Sequence, residues 1–161
     1  SSSERRKSLL AGWAGRLSSA VEEEHTQRKL AAILAADVVG YSRLMETDEA
    51  GTLARLKILQ DQLLNPATAQ FGGRVFKTTG DGALAEFPSI VDAVKCAIAI
   101  QRGVSAENTE QSAQPPLKLR IGISLGDVII EGQDLYGNGV NIAARLETMA
   151  DPGGILPGNA Q

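Results

Sequence analysis

The spacing of apolar and polar positions changes several times along the chain, and each change predicts an element. Residues 1–7 are polar and predict a disordered lead. From Ser8 to about Gln27, Leu9, Leu10, Trp13, Leu17 and Val21 recur at intervals of three and four, which predicts a helix with one apolar stripe. His25, behind three glutamates near its end, reads as a solvated side chain. Lys29–Ala36 is an apolar run short enough for a buried strand, ended by Asp37. The chain then turns through Val38-Val39-Gly40, and a helix is expected from Tyr41. Thr47 or Asp48 can cap a longer helix striped by Leu53, Leu56, Leu59, Leu63 and Leu64, disturbed late by Pro66 and ended by Gly72-Gly73.

Two β-prone runs follow, Arg74–Thr78 and Ala83–Phe87, on either side of Gly80-Asp81-Gly82. That is a hairpin signal, with glycine expected to supply positive φ angles in the turn. Ser89 and Asp92 imitate a capping box for a helix with Val94, Ala97 and Ile98 facing inward and fraying by Ser105. Asn108–Pro116 reads as a polar linker, and Leu117–Leu125 alternates as a strand. Gly126-Asp127 predicts a turn, Val128–Ile130 another strand, Gly132–Gly139 a loop, and Val140–Met149 a helix with Ile142, Ala143 and Leu146 inside. The order predicts an α+β fold, an α/β sandwich on a ferredoxin-like βαββαβ core, with helices on one face of an antiparallel-containing sheet.

Composition narrows the function. At 161 residues the chain is one domain with a short extension, divided here as a helical stretch over 1–28 and the main domain over 29–161. Sixteen basic residues against 19 acidic ones, with few aromatics, give no footprint for nucleic acid. The single Cys96 lies in an apolar helical pattern and reads as a core residue in a reducing compartment. No run approaches the roughly 18 apolar residues of a membrane span, and no signal peptide is evident, so a cytoplasmic location is expected.

Asp81 at the hairpin tip and Asp37 at a strand end can converge on one cation, although a lone Asp between glycines is equally a turn residue. Likewise Lys77 taken alone is an exposed strand lysine, and Asp134 a loop cap. Four stretches read together change that. ADVVGYSRLM around Asp37, KTTGDG with Lys77 and Asp81, LRIGISLGDV with Arg120, and DLYGNGVNIAARLE with Asp134, Asn141 and Arg145 resemble the class III nucleotidyl cyclases, most of all bacterial adenylate cyclases. The resemblance covers roughly Lys29 to Ile155, and implies that 29–161 is the catalytic domain and 1–28 a signalling or regulatory extension.

It implies a reaction: ATP converted to 3′,5′-cyclic AMP and pyrophosphate. It implies that Asp37 and Asp81 bind two Mg²⁺ or Mn²⁺ ions, and that the backbone of Val38, Val39, Gly40, Tyr41 and Ser42 cradles phosphate. Lys77 and Asp134 match the pair that reads the base, Arg120 a phosphate-contacting arginine, and Asn141 with Arg145 the pair that positions ribose and stabilises the transition state. The family's sites lie between two catalytic domains placed head to tail, so a homodimer is implied, and a regulatory domain outside the chain is compatible with it. The family's domain also continues with further strands and a phosphate-directed lysine for which residues 1–161 hold no match, so a C-terminally truncated domain is expected.

The chemistry supports these roles independently. Two hard carboxylates suit a divalent cation shared with phosphate oxygens. A Lys donor and an Asp acceptor match the N1 acceptor and the amino donor of adenine, whereas guanine presents the reverse and would leave buried polar groups unpaired. The alternatives are a binding module that senses ATP without turning it over, or a guanylate cyclase.

Overall fold

The computed structural model describes residues 3–7, 27–110 and 114–159. The expected helix over Ser8–Gln27, and His25 within it, fall almost wholly outside the described residues. Residues 3–7, expected to be disordered, form one exposed helical turn. Glu4 before Arg5, Arg6 and Lys7 is an order of charge that suits a helix dipole.

The domain is built on β1 (Arg28–Val38), which runs two residues beyond its expected end, so Asp37 lies inside the strand. Next come α1 (Tyr41–Thr47), α2 (Glu49–Leu59), a π-helical turn (Gln60–Leu64) and α3 (Asn65–Gln70). Asp48 caps α2 by accepting the Gly51 N–H at 3.0 Å. The wide turn sits just ahead of Pro66, whose ring lacks an N–H and crowds the preceding carbonyls, so the ladder steps to Asn65 N–H→Gln60 O. The hairpin β2 (Arg74–Thr78) and β3 (Gly82–Phe87) is followed by α4 (Ile90–Glu110), β4 (Leu119–Glu131), β5 (Asp134–Tyr136), α5 (Asn138–Met149) and β6 (Ile155–Asn159).

The strands form a six-stranded sheet in the order β2-β3-β1-β4-β5, antiparallel throughout, with β6 added parallel to β4. The first four of these give the ferredoxin-like order. The outer edge of β4 is shared: β6 takes Ile121–Leu125 and β5 takes Ile129–Glu131. Because β1 is covered on both faces, its sequence is an almost unbroken apolar run, and period two sorts it. Ala32, Leu34, Ala36 and Val38 face the main core with Phe87, Ile100, Leu119, Ile121 and Ile123, beneath α2 to α4. Ala31, Ile33 and Ala35 face a smaller core with Val128, Leu135 and Ala143, beneath α5.

Several expectations are corrected. The hairpin turn uses no positive φ at Gly80 or Gly82. Gly82 is needed instead for space, since a Cβ there would lie 2.2 Å from the Ala36 carbonyl oxygen. Gly126-Asp127 is not a turn: both pair with β1, opposite Ala31 and Leu30, and β4 continues to a turn at Gly132, φ 62°. Helix α4 runs through Ser105 to Glu110, and Ile98 is 38% exposed while Ala93, Cys96, Ala97, Ile100 and Val104 are buried. Asn108, expected in a linker, receives the Leu117 N–H at 2.9 Å and donates to its carbonyl at 2.6 Å, tying the helix end to the start of β4. The Ser89–Asp92 capping box forms as expected.

Helix α5 lies directly on β4 at Gly122, where a Cβ would fall 2.2 Å from the Glu147 backbone nitrogen and 2.4 Å from the Ala143 oxygen. Both obstacles are backbone and cannot turn aside. Gly122→Ala is therefore expected to destabilise the domain by about 3 kcal/mol, measured as a lowered urea midpoint, with a Gly103→Ala comparison that meets only the movable Leu63 side chain.

Candidate active site

Three strands set the first group of side chains. Asp37 in β1 stands opposite Gly82 on one side and Arg120 on the other. The Val38 N–H donates to the Asp81 carbonyl and the Val39 N–H to the Lys118 carbonyl, both at 2.8 Å. These bonds fix the hairpin tip beside the end of β1, and so bring the Asp37 and Asp81 segments together. Alternation turns Asp37 to the α5 side of the sheet, the face of Ile33 and Ala35. Its Oδ1 is buried without a hydrogen-bond partner, and so is Arg120 Nε.

A third acid completes this pocket. Glu147 on α5 is 6% exposed, its carboxyl hydrogen-bonds that of Asp37, and its Oε1 is buried without a hydrogen-bond partner. Burial first, then the bond and charge of Asp37, push Glu147 up to about 8, against a smaller downward pull from Arg120. Sequence reasoning missed this residue. Its position four after Ala143, on the inner stripe of an amphipathic helix, was the available signal.

The second group forms where the sheet curls. Although β2 and β5 are the two ends of the strand order, the β4–β5 hairpin bends back over the α5 face until they meet. Arg74 Nη1 donates to the Gln133 carbonyl at 2.8 Å, and Lys77 Nζ lies 3.7 Å from Asp134 Oδ2. Arg74 is itself paired with Glu86 at 3.1 Å, and Glu86 with Lys29 at 3.1 Å. Lys77 reaches this face because of an irregularity. Val75 pairs with Ala85 and Lys77 with Leu84, so Phe76 is an extra residue, a β-bulge. A regular strand would have turned Lys77 to the other face, with Val75. The Tyr136 ring lies 5.5 Å from the Lys77 ammonium, and the Tyr136 hydroxyl bonds Asp134. That bond first, then the Leu135 N–H at 2.8 Å, hold the Asp134 carboxyl below its ordinary range.

The remaining candidates sit apart from both groups. Asn141 and Arg145 are exposed on the outer side of α5, one helical turn apart. Arg145 makes no ion pair among the described residues. In the loop, Gly40 has φ 70°, a left-handed conformation that favours glycine. The first helical bond of α1 is Leu44 N–H→Gly40 O, so the N–H groups of Tyr41, Ser42 and Arg43 have no acceptor within the helix. Among the described residues no three acidic, histidine or cysteine side chains are arranged to hold a metal unaided. The donors do fit a hard divalent cation that brings other oxygens with it: Asp37 Oδ1 is a buried orphan, and Asp81 is held next to it.

Comparison with known proteins identifies the family of the domain. Residues 23–157 match the adenylate and guanylate cyclase catalytic domain. The chain belongs to that family. It is 51% identical over 133 residues to a putative adenylate cyclase 3 of Rhizobium meliloti (strain 1021), covering 83% of this chain and 23% of that protein. It is 30% identical to an adenylate cyclase of Streptomyces coelicolor, covering 91% of this chain and 37% of the relative. The chain thus spans well under half the length of these relatives. The crystal structure of an adenylate/guanylate cyclase/hydrolase from Silicibacter pomeroyi superposes with a TM-score of 0.75 at 45% identity, covering 81% of this chain and 76% of that one. For the adenylyl cyclase CyaB from P. aeruginosa the TM-score is 0.73 at 27% identity, covering 83% and 78%. The expected fold class is therefore the observed one, with one correction: helices cover both faces of the sheet, where one face was expected. No helix among the described residues is long and apolar enough to cross a membrane.

Glu147 carries a pH signature. Its carboxyl titrates near its ordinary 4.5 when unfolded and near 8 when folded. Between these values the native state holds the proton more tightly, so stability is full below about pH 4.5 and falls as pH rises toward 8. Urea unfolding in metal-free buffer is expected to show that decline between pH 5 and 8, and Glu147→Gln to flatten it. An unchanged slope in the variant would assign the decline elsewhere.

Proposed function

We propose that this cyclase domain is an adenylate cyclase, and that it works as a head-to-tail homodimer. The observation that carries the choice of ATP is the Lys77–Asp134 pair, drawn from opposite ends of the sheet to 3.7 Å. An ammonium donor beside a carboxylate acceptor matches the N1 acceptor and amino donor of adenine, and mismatches both corresponding groups of guanine. The names of the relatives from Rhizobium meliloti and Streptomyces coelicolor agree with that choice.

Each group of residues has a task in this reading. Asp37 and Asp81 would hold two divalent cations, Mg²⁺ or Mn²⁺, between the end of β1 and the hairpin tip. When bound, such ions favour the ionised ribose 3′-hydroxyl and offset the charge of the pyrophosphate. In the loop from Val38 to Ser42 the N–H groups of Val38 and Val39 are already bonded, so those of Tyr41 and Ser42 would face the phosphates, and Arg120, next to Asp37 in register, adds a fixed positive charge. Lys77 and Asp134 orient the base. Asn141 fixes the ribose, and Arg145 meets charge that develops on the α-phosphoryl oxygens, a contribution of about 10³–10⁵ in rate by analogy with arginine fingers. In the reaction the 3′-oxygen bonds the α-phosphorus, the bond to the β-phosphate oxygen breaks, the hydroxyl proton goes to solvent, and pyrophosphate leaves.

The outward aim of Asn141 and Arg145, away from Asp37 within the same chain, supports completion of each site by a second copy. Each copy would lend its base-reading and ribose-positioning residues to the other's aspartates.

Two measurements test the proposal. Cyclic nucleotide and pyrophosphate release from ATP and from GTP, with Mg²⁺ and with Mn²⁺, is expected to give cyclic AMP, lost in Asp81→Ala. Cyclic GMP from GTP in place of cyclic AMP from ATP would overturn the base assignment, and nucleotide bound without product would indicate a binding module. A mixture of Asp81→Ala and Arg145→Ala chains, each inactive alone, is expected to recover about a quarter of the activity through statistical pairing into dimers that hold one intact site. No recovery would argue against shared sites.

A further inference from the structure

The described residues hold a third side chain at the Lys77–Asp134 pair that the proposed function has not used. Tyr136 is 44% exposed, yet it touches both members of the pair. Its hydroxyl bonds the Asp134 carboxylate, and its ring lies 5.5 Å from the Lys77 ammonium, within cation–π range. Asp134 and Tyr136 are two apart on β5, so they share a face of that short strand, while Leu135 between them is 2% exposed and anchors the strand in the smaller core. Tyr136 is also paired with Ile129 of β4, which fixes its backbone. The phenol is therefore a rigid group on a buried anchor.

We infer that Tyr136 is a specificity-determining positioning residue, which holds Asp134 and Lys77 in the orientation that selects adenine over guanine. The inference rests on the reading of Lys77 and Asp134 as the base-reading pair.

The physical need for such a residue follows from exposure. The side chains of Lys77 and Asp134 are 46% and 29% exposed. An ion pair that open to water holds its partners weakly, and long side chains exchange it for solvent at little cost. Discrimination between two purines requires more, because a donor and an acceptor must both stay in the plane of the base. On the Asp134 carboxylate, Oδ1 takes the Leu135 N–H at 2.8 Å and Oδ2 faces Lys77. The Tyr136 hydroxyl adds a third tie, which restricts rotation of the carboxylate and leaves its remaining lone pairs aimed at one place. Because the phenol proton is committed to Asp134, it is not offered to an incoming carbonyl such as guanine O6. The ring face beneath Lys77 favours an ammonium that stays above it.

Removal of the hydroxyl alone, in Tyr136→Phe, keeps the ring and its packing. Two readouts separate position from structure. The first is the ratio of dissociation constants for non-cyclising α,β-methylene analogues of ATP and GTP with Mn²⁺, measured by calorimetry. Tyr136→Phe is expected to cut the preference for the adenine analogue about tenfold, the worth of one hydrogen bond to a charged group, at an unchanged melting temperature. The second is the titration of the Asp134 carboxyl, followed by carbon NMR, which is expected to move up toward the ordinary carboxylate range. Lys77→Ala and Asp134→Ala serve as controls for the underlying reading. If they change the ratio and Tyr136→Phe does not, the role of Tyr136 is overturned while the base-reading pair stands, even where the Asp134 titration moves. If neither control changes the ratio, the pair itself is wrong and the role of Tyr136 falls with it.

Discussion

The approach of α5 to β4 at Gly122 is the contact on which the arrangement depends. With only a hydrogen at that position, the helix backbone settles onto the strand so closely that a Cβ would overlap it. Gly139 plays a similar part at the helix start, where a Cβ would lie 3.1 Å from the Asp127 oxygen. From this seat the helix places Ala143 in the smaller core and Glu147 over Asp37, and it leaves Asn141 and Arg145 outside. A helix held a few ångströms higher would still be amphipathic, but it would no longer bring a carboxyl to the end of β1.

The two faces of the sheet do different work. The face beneath α2 to α4 is apolar, with Phe87, Ile100, Leu119, Ile121 and Ile123 almost wholly buried, and it accounts for most of the cohesion. The α5 face is thinner and carries the polar rows: Asp37 on β1, Arg120 and Ser124 on β4, and Arg74, Lys77 and Glu86 on the hairpin. On this face Asp37 Oδ1, Arg120 Nε, Ser124 Oγ and Glu147 Oε1 are buried without a hydrogen-bond partner, as is Glu86 Oε2 apart from its ion pair with Lys29, which is expensive in a core and typical of sites that await a ligand.

Much of this was legible in the sequence, for reasons that also explain the misses. Where local chemistry decides, as in the Ser89–Asp92 capping box and the β2–β3 hairpin, the residues were sufficient. The alignment of Asp37 with Asp81 and the partnership of Lys77 with Asp134 were reached through motif resemblance, and the structure supplies the register and the curl that join them. Gly126-Asp127 misled because turn chemistry was read without knowledge of its pairing: both residues sit in a ladder with β1, and their backbone lies against Gly139 at the start of the neighbouring helix. Glu147 was hidden for a related reason. An acid beside an arginine on a helix reads as a solvated charge, and only the depth of the helix on the sheet reverses that. The Tyr136 contacts depend on the curl of β4, which no local pattern encodes.

The bulge in β2 has a consequence for how such a chain can change over descent. Strand faces alternate with each residue, so the face that presents the ammonium is decided by a count and not by a type. With Phe76 taken up in the bulge, Lys77 shares the side of Leu84; were Phe76 to occupy its own place in the ladder opposite Leu84, the same lysine would pass through the sheet to the side of Val75 and the helices. Exchange of one apolar residue for another at Phe76 keeps the parity of the strand. A change that drew Phe76 into the ladder would not, and it would reassign the edge of the sheet even though every motif remained recognisable in the sequence.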